Sequence, residues 1–197
     1  IMRKAGSCQT PSELTEQFAE HLIAIGMPIW RINVGMRTLH PLLVARQFTW
    51  RRGVDGIVQT EAPPELLQEP SYLNSPIMHV RSGLGGVRQR LDVPNPEFSY
   101  PIMDDLRADG GTDYVAMPLT FSDGQINTVT MATDHPDGFS TDHLGQVFEA
   151  LTALGRFYEV LTLRHNTTAL FDAYLGERTR QQILAGSTHR GDGENIR

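Results

Sequence analysis

No proline follows Pro136 in the 197 residues of this chain, and from Ser140 onward apolar side chains return in steps of three and four. Leu144, Val147, Phe148, Leu151, Leu154, Tyr158 and Leu161 form that series. The period is helical. Ser140 or Thr141 supplies an N-cap, and Asp142 places a carboxylate in the first turn, where the helix dipole favours it. A helix over residues 141 to 175 extends roughly 50 Å at 1.5 Å per residue, more than a domain of this size needs to cover one sheet. A helix projecting alone lacks tertiary support. The stripe therefore predicts a partner helix, with Leu144, Val147, Leu151, Leu154, Tyr158 and Leu161 at a homodimer interface. On this expectation a charge at Leu161 weakens association and leaves the sheet folded. The competing reading packs the stripe on the chain's own sheet. Residues 164 to 168 (Arg-His-Asn-Thr-Thr) interrupt the stripe, and Phe171, Tyr174 and Leu175 resume it in a changed register, the pattern of a helix pair with a weak, switchable centre.

Everything before this helix reads as short strands and turns. Thr10 and Glu13 hold capping-box positions ahead of Leu14, Phe18, Leu22 and Ile25, and Gly26 ends that helix. Residues 29–34 alternate and run toward Leu39, residues 45–52 form a second strand, and residues 57–60 return as a third. Four prolines between 63 and 76 impose a loop with a short helix near Tyr72, and residues 77–83 read as helical. A strand at 87–91, a Pro-rich loop and a helix at 102–108 lead to the hairpin 114–121/126–133. Asp123-Gly124 there matches a two-residue type I′ turn. Pro118 inside the first hairpin strand predicts an edge or a bulge. These antiparallel meanders give an α+β fold: an antiparallel sheet of the GAF/PAS plan with flanking helices and a long C-terminal signalling helix. The expected divisions are a flexible N-terminus at 1–10, the domain core at 11–140, the dimerisation helix at 141–176 and a connecting segment at 177–197.

Composition excludes several classes. The net charge of −6 and scattered basic residues argue against nucleic acid. Arg51-Arg52 and Arg88/Arg90 read as solvated strand faces. No apolar run approaches the ~18 residues of a membrane span, and no apolar segment follows Ile1-Met2-Arg3-Lys4 as a signal peptide requires. The lone Cys8 forms no internal disulfide and places the chain in a reducing, cytoplasmic setting.

Five segments together resemble a known family: RTLHP (Arg37–Pro41), FTWRRG (Phe48–Gly53), NSP (Asn74–Pro76), YPIMDDLRADGGTDYVAMPLTFSDGQ (Tyr100–Gln125) and LGERTRQQILAGSTHRGDGENIR (Leu175–Arg197). They look like the regulatory region of proteobacterial class III adenylate or guanylate cyclases, over nearly the whole chain after residue 10. The resemblance implies a regulatory segment that immediately precedes a cyclase domain making cyclic AMP and pyrophosphate from ATP. It implies parallel pairing, because class III homodimers build their active sites between two catalytic domains. The metal-binding aspartates, purine-selecting pair and transition-state residues of that family map onto no residue here. Mg²⁺ or Mn²⁺ is expected only in the catalytic domain, and no cofactor and no cyclase activity in this chain. Adjacent Asp104 and Asp105 diverge by about 100° on a helix and do not chelate one ion.

A ligand pocket is the remaining functional expectation. Tyr72, Ile77, Phe98, Tyr100 and Ile102 are its candidate apolar walls, and Arg81, Thr128 and Thr130 its candidate polar contacts; the alternative is a filled core and a purely structural dimerisation module. The seven histidines carry no metal-ligand spacing. His79 is the one placed to meet a haem, against the commoner role of a hydrogen-bonded structural histidine. Ser82-Gly83-Leu84-Gly85-Gly86 lacks the lysine of a phosphate loop and reads as a turn. A free-standing enzyme is the third hypothesis, and no acid, base or nucleophile set supports it.

Overall fold

The computed structural model describes residues 5–40, 42–94 and 96–184, with side chains as far as Thr167 apart from Leu39 and His40. Its helices are α1 (Pro11–Ala24), α2 (Pro70–Leu73), α3 (Pro76–Arg81), α4 (Pro101–Ala108) and α5 (Thr141–Leu184). The strands are β1 (Arg31–His40), β2 (Leu43–Arg51), β3 (Val58–Ala62), β4 (Val87–Arg90), β5 (Asp113–Thr120) and β6 (Ile126–Thr133). They form one sheet in the order β3-β2-β1-β6-β5-β4, antiparallel throughout.

Period-two alternation divides the sheet into two chemically different faces. Ile32, Val34 and Met36 of β1, Phe48 of β2, Val115, Met117 and Leu119 of β5, and Val129 and Met131 of β6 join the core beneath α1 and α5. On the opposite face a smaller apolar cluster gathers Trp30, Val80, Val87, Leu91, Met103, Leu106 and Tyr114 under α3 and α4. Trp50 lies on β2 as alternation requires. Trp30 stands just before β1, yet its N–H donates to Ala132 and its carbonyl accepts from Arg52, so it extends the ladder.

At α1, Thr10 accepts from Glu13 N–H as a cap should, but the Glu13 carboxylate reaches back to Gln9 N–H at 2.7 Å rather than to the cap residue itself. Ile25 is the exposed C-cap, not a core residue. The N-terminal segment is not a free tail from residue 5 onward: Ala5 and Cys8 are buried in the main core. The hairpin differs too. Gly124 has φ +83° while no non-glycine among the described residues has positive φ, and Gly124 N–H donates to Phe121 O while Phe121 N–H donates to Gln125 O. A type I′ turn needs two residues at positive φ; here a three-residue loop closes with a single left-handed glycine. Pro118 pairs in register with Thr128 on a strand that is not an edge. Its missing donor costs nothing because β4 ends opposite Ala116, so its outer side has no strand to bond.

The largest departure concerns α5. Its 44 residues span about 66 Å, nine residues beyond the expected end at 175. The six stripe residues expected at a dimer interface are buried in the single chain, between 0% and 8% exposed, and belong to the main core. Side chains so nearly covered have little surface left to give to a partner, so these six pack in the chain's own core. Gly155 allows the approach: a Cβ there would stand 2.9 Å from the Thr120 carbonyl oxygen. Only Phe148 of the predicted series faces out, together with Val160 and Leu163. Residues 171–175, where the stripe resumes, lie outside the described side chains, and residues 185–197 outside the described structure.

A carboxylate clips α5 to the hairpin. Glu159 accepts from Ser122 N–H at 2.9 Å, from the Ser122 hydroxyl, and from Arg156 at 3.1 Å. The bonds from Ser122 hold its pKa below the usual glutamate value. A depressed folded pKa gives stability that is present above the unfolded pKa and is lost as pH falls through the folded one. Glu159→Gln should therefore flatten the acid limb of the melting temperature between about pH 5 and pH 3. An unchanged slope would remove the clip from the account.

Candidate functional site

The polar face of the sheet is open where β1, β2 and β6 run side by side. Asn33, Gly35, Gln47, Thr49, Thr128 and Thr130 point there by register. Asn33 Nδ2 donates to Gln47 Oε1 at 3.1 Å and to Thr49 Oγ1 at 2.7 Å. The 3₁₀ turn Pro64–Gln68, α2 and α3 lie over this face. The prolines that begin all three set φ for a helical first turn, and Ser75 caps α3 through Met78 N–H. Between sheet and cover lies a cavity of about 200 Å³ walled by Arg31, Asn33, Gln47, Tyr72, Tyr114 and Thr130, with Ser71, Ser75, Pro76, Ile77, Leu66 and Ile102. A void of about 20 Å³ adjoins it, shares Gln47, Leu66, Tyr72 and Ile77, and adds Gly35, Arg81 and Thr128.

Six of the eight predicted residues, Tyr72, Ile77, Arg81, Ile102, Thr128 and Thr130, therefore line this site. Phe98 and Tyr100 do not. They stack on each other at 6.0 Å, Phe98 meets the His79 ring edge-on at 5.6 Å, and the Tyr100 hydroxyl lies 3.2 Å from His79 Nδ1. This trio closes the smaller core, and His79 points into its own aromatic neighbours rather than the cavity. Among the described residues no group of three or more His, Cys, Asp or Glu is placed to hold a metal ion. Asp104 is engaged by Arg107 at 2.7 Å.

Charge at the cavity is one-sided. Arg31 has neither a carboxylate in ion-pair range nor a hydrogen bond for its guanidinium among the described residues, and burial pulls its pKa below the usual arginine value. The nearby arginines differ: Arg51 pairs with Asp109 and lies 4.7 Å over the Trp30 ring, Arg52 pairs with Asp134, Arg88 with Asp113 and Arg90 with Asp92. Arg81 donates from Nη1 to the Tyr72 hydroxyl at 3.1 Å, while its Nε and Thr128 Oγ1 are buried without partners. Tyr114 is fully enclosed; burial raises its pKa, opposed by its bond to Thr130 and the Arg31 charge. Orphaned buried polar atoms are rare in folded proteins, and Arg81 Nε and Thr128 Oγ1 both line the small void that adjoins the Arg31 cavity. The sequence reading missed Arg31, Asn33, Gln47 and Tyr114. Their signal was polar residues at period-two positions inside strands whose other face is apolar.

Sheet order, covering segments and cavity define a GAF-like fold. Solved structures with this fold include the GAF domain of a two-component sensor histidine kinase from Bacillus halodurans (TM-score 0.59, 10% identity, 80% of this chain and 99% of that one). The bacteriophytochrome of the photosynthetic bacterium R. palustris is similar over 98% of this chain and 42% of its own, with TM-score 0.57 and 10% identity. The phycocyanobilin-bound GAF domain of a cyanobacterial phytochrome gives TM-score 0.52 and 13% identity over 78% of this chain and 86% of that one. No family model matches the chain, and no curated protein sequence matches it. No helix among the described residues is long and apolar enough to cross a membrane.

Proposed function

We propose that this chain is a sensory regulatory domain that takes a small organic anion into the cavity beside Arg31 and passes its state through α5 to an attached output domain. The observation that carries the reading is the Arg31 guanidinium, which has no ion-pair partner among the described residues and walls a cavity with no carboxylate in its lining; the adjoining void adds Arg81 Nε and Thr128 Oγ1, buried without partners. A half-buried cation with no counter-ion beside it gains when a ligand supplies one. The volume of about 200 Å³ limits that ligand to a small molecule. The motif resemblance names the output domain as a class III nucleotide cyclase, in which case this chain alone forms no cyclic AMP from ATP with Mg²⁺ or Mn²⁺. Measurable product from clean protein would overturn that assignment. Homodimerisation fits the same reading through the exposed side of α5, where Phe148, Val160 and Leu163 fall within a sector about 120° wide at 100° per residue.

The ligand reading is tested by thermal unfolding with acetate, pyruvate and succinate as probes. At a hundred times its Kd, a bound probe stabilises by about 2.7 kcal/mol, a rise of roughly 5–10 °C for a chain this size. At least one of the three should give it, and Arg31→Gln should abolish it. A filled structural module gives no rise with any of them.

A further inference from the structure

The interruption of the α5 stripe at 164 to 168 has a physical explanation on the other face of the sheet. There, where β1, β2 and β3 extend past the helices, a second cavity of about 370 Å³ opens between the start of α1 and the segment of α5 around residues 161–166. Its floor is apolar: Met36, Phe48 and Leu161, each almost wholly withdrawn from solvent. Its lining includes Arg46, Arg164 and His165, and no aspartate or glutamate. Arg46 is the best placed of these. Its side chain is only 13% exposed, its Nε donates to Glu61 at 3.0 Å, and its Nη1 is buried without a partner. Thr10, Pro11 and Ser12 bring the positive end of α1 to the same opening. Thr38 Oγ1 donates to Asn166 Oδ1 at 2.6 Å and Thr162 Oγ1 to Met36 Sδ at 3.2 Å, so polar residues of α5 border the cavity and tie the helix to β1.

We infer that this second cavity is a binding site for an amphiphilic organic monoanion, a carboxylate head on an unbranched apolar body. The head meets Arg46 and Arg164 at the rim, and the body lies on Met36, Phe48 and Leu161. The site is independent of the Arg31 cavity, since the sheet separates the two. Its occupant touches the last turns of α5 for which buried side chains are described, so it favours the arrangement of α5 in which it makes those contacts.

The test is calorimetric titration of the whole chain with decanoate. Saturable one-to-one binding is expected. Decanol, which keeps the body and lacks the charge, should bind at least about tenfold more weakly, and Arg46→Gln and Arg164→Gln should each weaken decanoate about tenfold. Arg31→Gln should leave decanoate affinity unchanged, which distinguishes this site from the first cavity. Methyl resonances of labelled methionine read the location even if a variant folds poorly: in the wild-type chain Met36 should shift on adding decanoate and Met103, in the opposite core, should not. The proposal is overturned by no saturable binding up to about 1 mM decanoate, by equal affinity for decanol, by affinity indifferent to both arginine substitutions, or by a shift at Met103 without one at Met36.

Discussion

Tyr158→Ala should destabilise the domain by about 3–5 kcal/mol, lowering the melting temperature by roughly 10–15 °C in a chain of this size. Tyr158 is wholly enclosed at the meeting of α1, α5 and the sheet. Its hydroxyl lies 2.9 Å from Thr15 Oγ1, and Thr15 donates its own proton to the Pro11 carbonyl at 2.8 Å, so the phenol is the donor. Burial raises the phenol pKa, which keeps the group neutral and donating at ordinary pH. Two contributions can be separated. Tyr158→Phe removes one hydrogen bond, leaves Thr15 its bond to Pro11, and should cost about 1 kcal/mol. Tyr158→Ala removes the ring and leaves a cavity beneath two helices. Denaturant unfolding of both variants measures the difference. Equal losses would mean that the hydrogen bond, not the ring, holds α1 to α5.

The sheet was legible because its alternation is strong and its turns carry marked residues. Each predicted strand appears within about two residues of its place, and the short helices in the Pro-rich stretch appear where prolines set their first turns. What was not legible depends on distant partners. The I′ assignment failed because Asp-Gly is common to two hairpin geometries, and pairing across the strands decides between them. Pro118 sits within an inner strand because β4 happens to stop short, which no local pattern around Pro118 records. The stripe on α5 was read correctly as apolar, but an apolar stripe carries no label for what covers it. Gly155, which lets the helix lie against Thr120, was the one local hint that this face meets a sheet.

The candidate site was half legible for a similar reason. Tyr72, Ile77 and Ile102 were found because covering segments of the fold were placed correctly, and Thr128 and Thr130 because they alternate with Val129 and Met131. Phe98 and Tyr100 were misplaced because an aromatic residue beside a cavity and one that closes the neighbouring core look identical in sequence. Arg81 was named among the candidate polar contacts and lines the adjoining void; Arg31, which walls the larger cavity, was the harder arginine to see. Arg31 and Arg51 are both strand arginines, directly paired across β1 and β2. The location of Asp109, which pairs with Arg51 and reaches Arg31 only through its longer-range charge, separates a surface ion pair from the proposed ligand anchor.

Leu154→Glu and Leu163→Glu, nine residues apart on α5, should have opposite consequences. Leu154 is fully buried against the sheet. A glutamate there forfeits about 1.5–3 kcal/mol of apolar burial and sets a carboxyl group where no described cation pairs with it, at a further cost of several kcal/mol. That total approaches the 5–15 kcal/mol by which whole domains are stable, so the variant should lose cooperative unfolding near room temperature. Leu161 is a poorer choice for this comparison, because it borders the basic cavity where a new carboxylate would find Arg46 and Arg164. Leu163 is 54% exposed, and a charge there should change stability by no more than about 0.5 kcal/mol. If the outer face of α5 pairs two copies, the same substitution should shift sedimentation from dimer toward monomer with circular dichroism unaltered. A wild-type dimer that survives Leu163→Glu and Phe148→Glu together would place the interface elsewhere, and a Leu154→Glu protein that unfolds like wild type would contradict the packing of α5 on its own sheet.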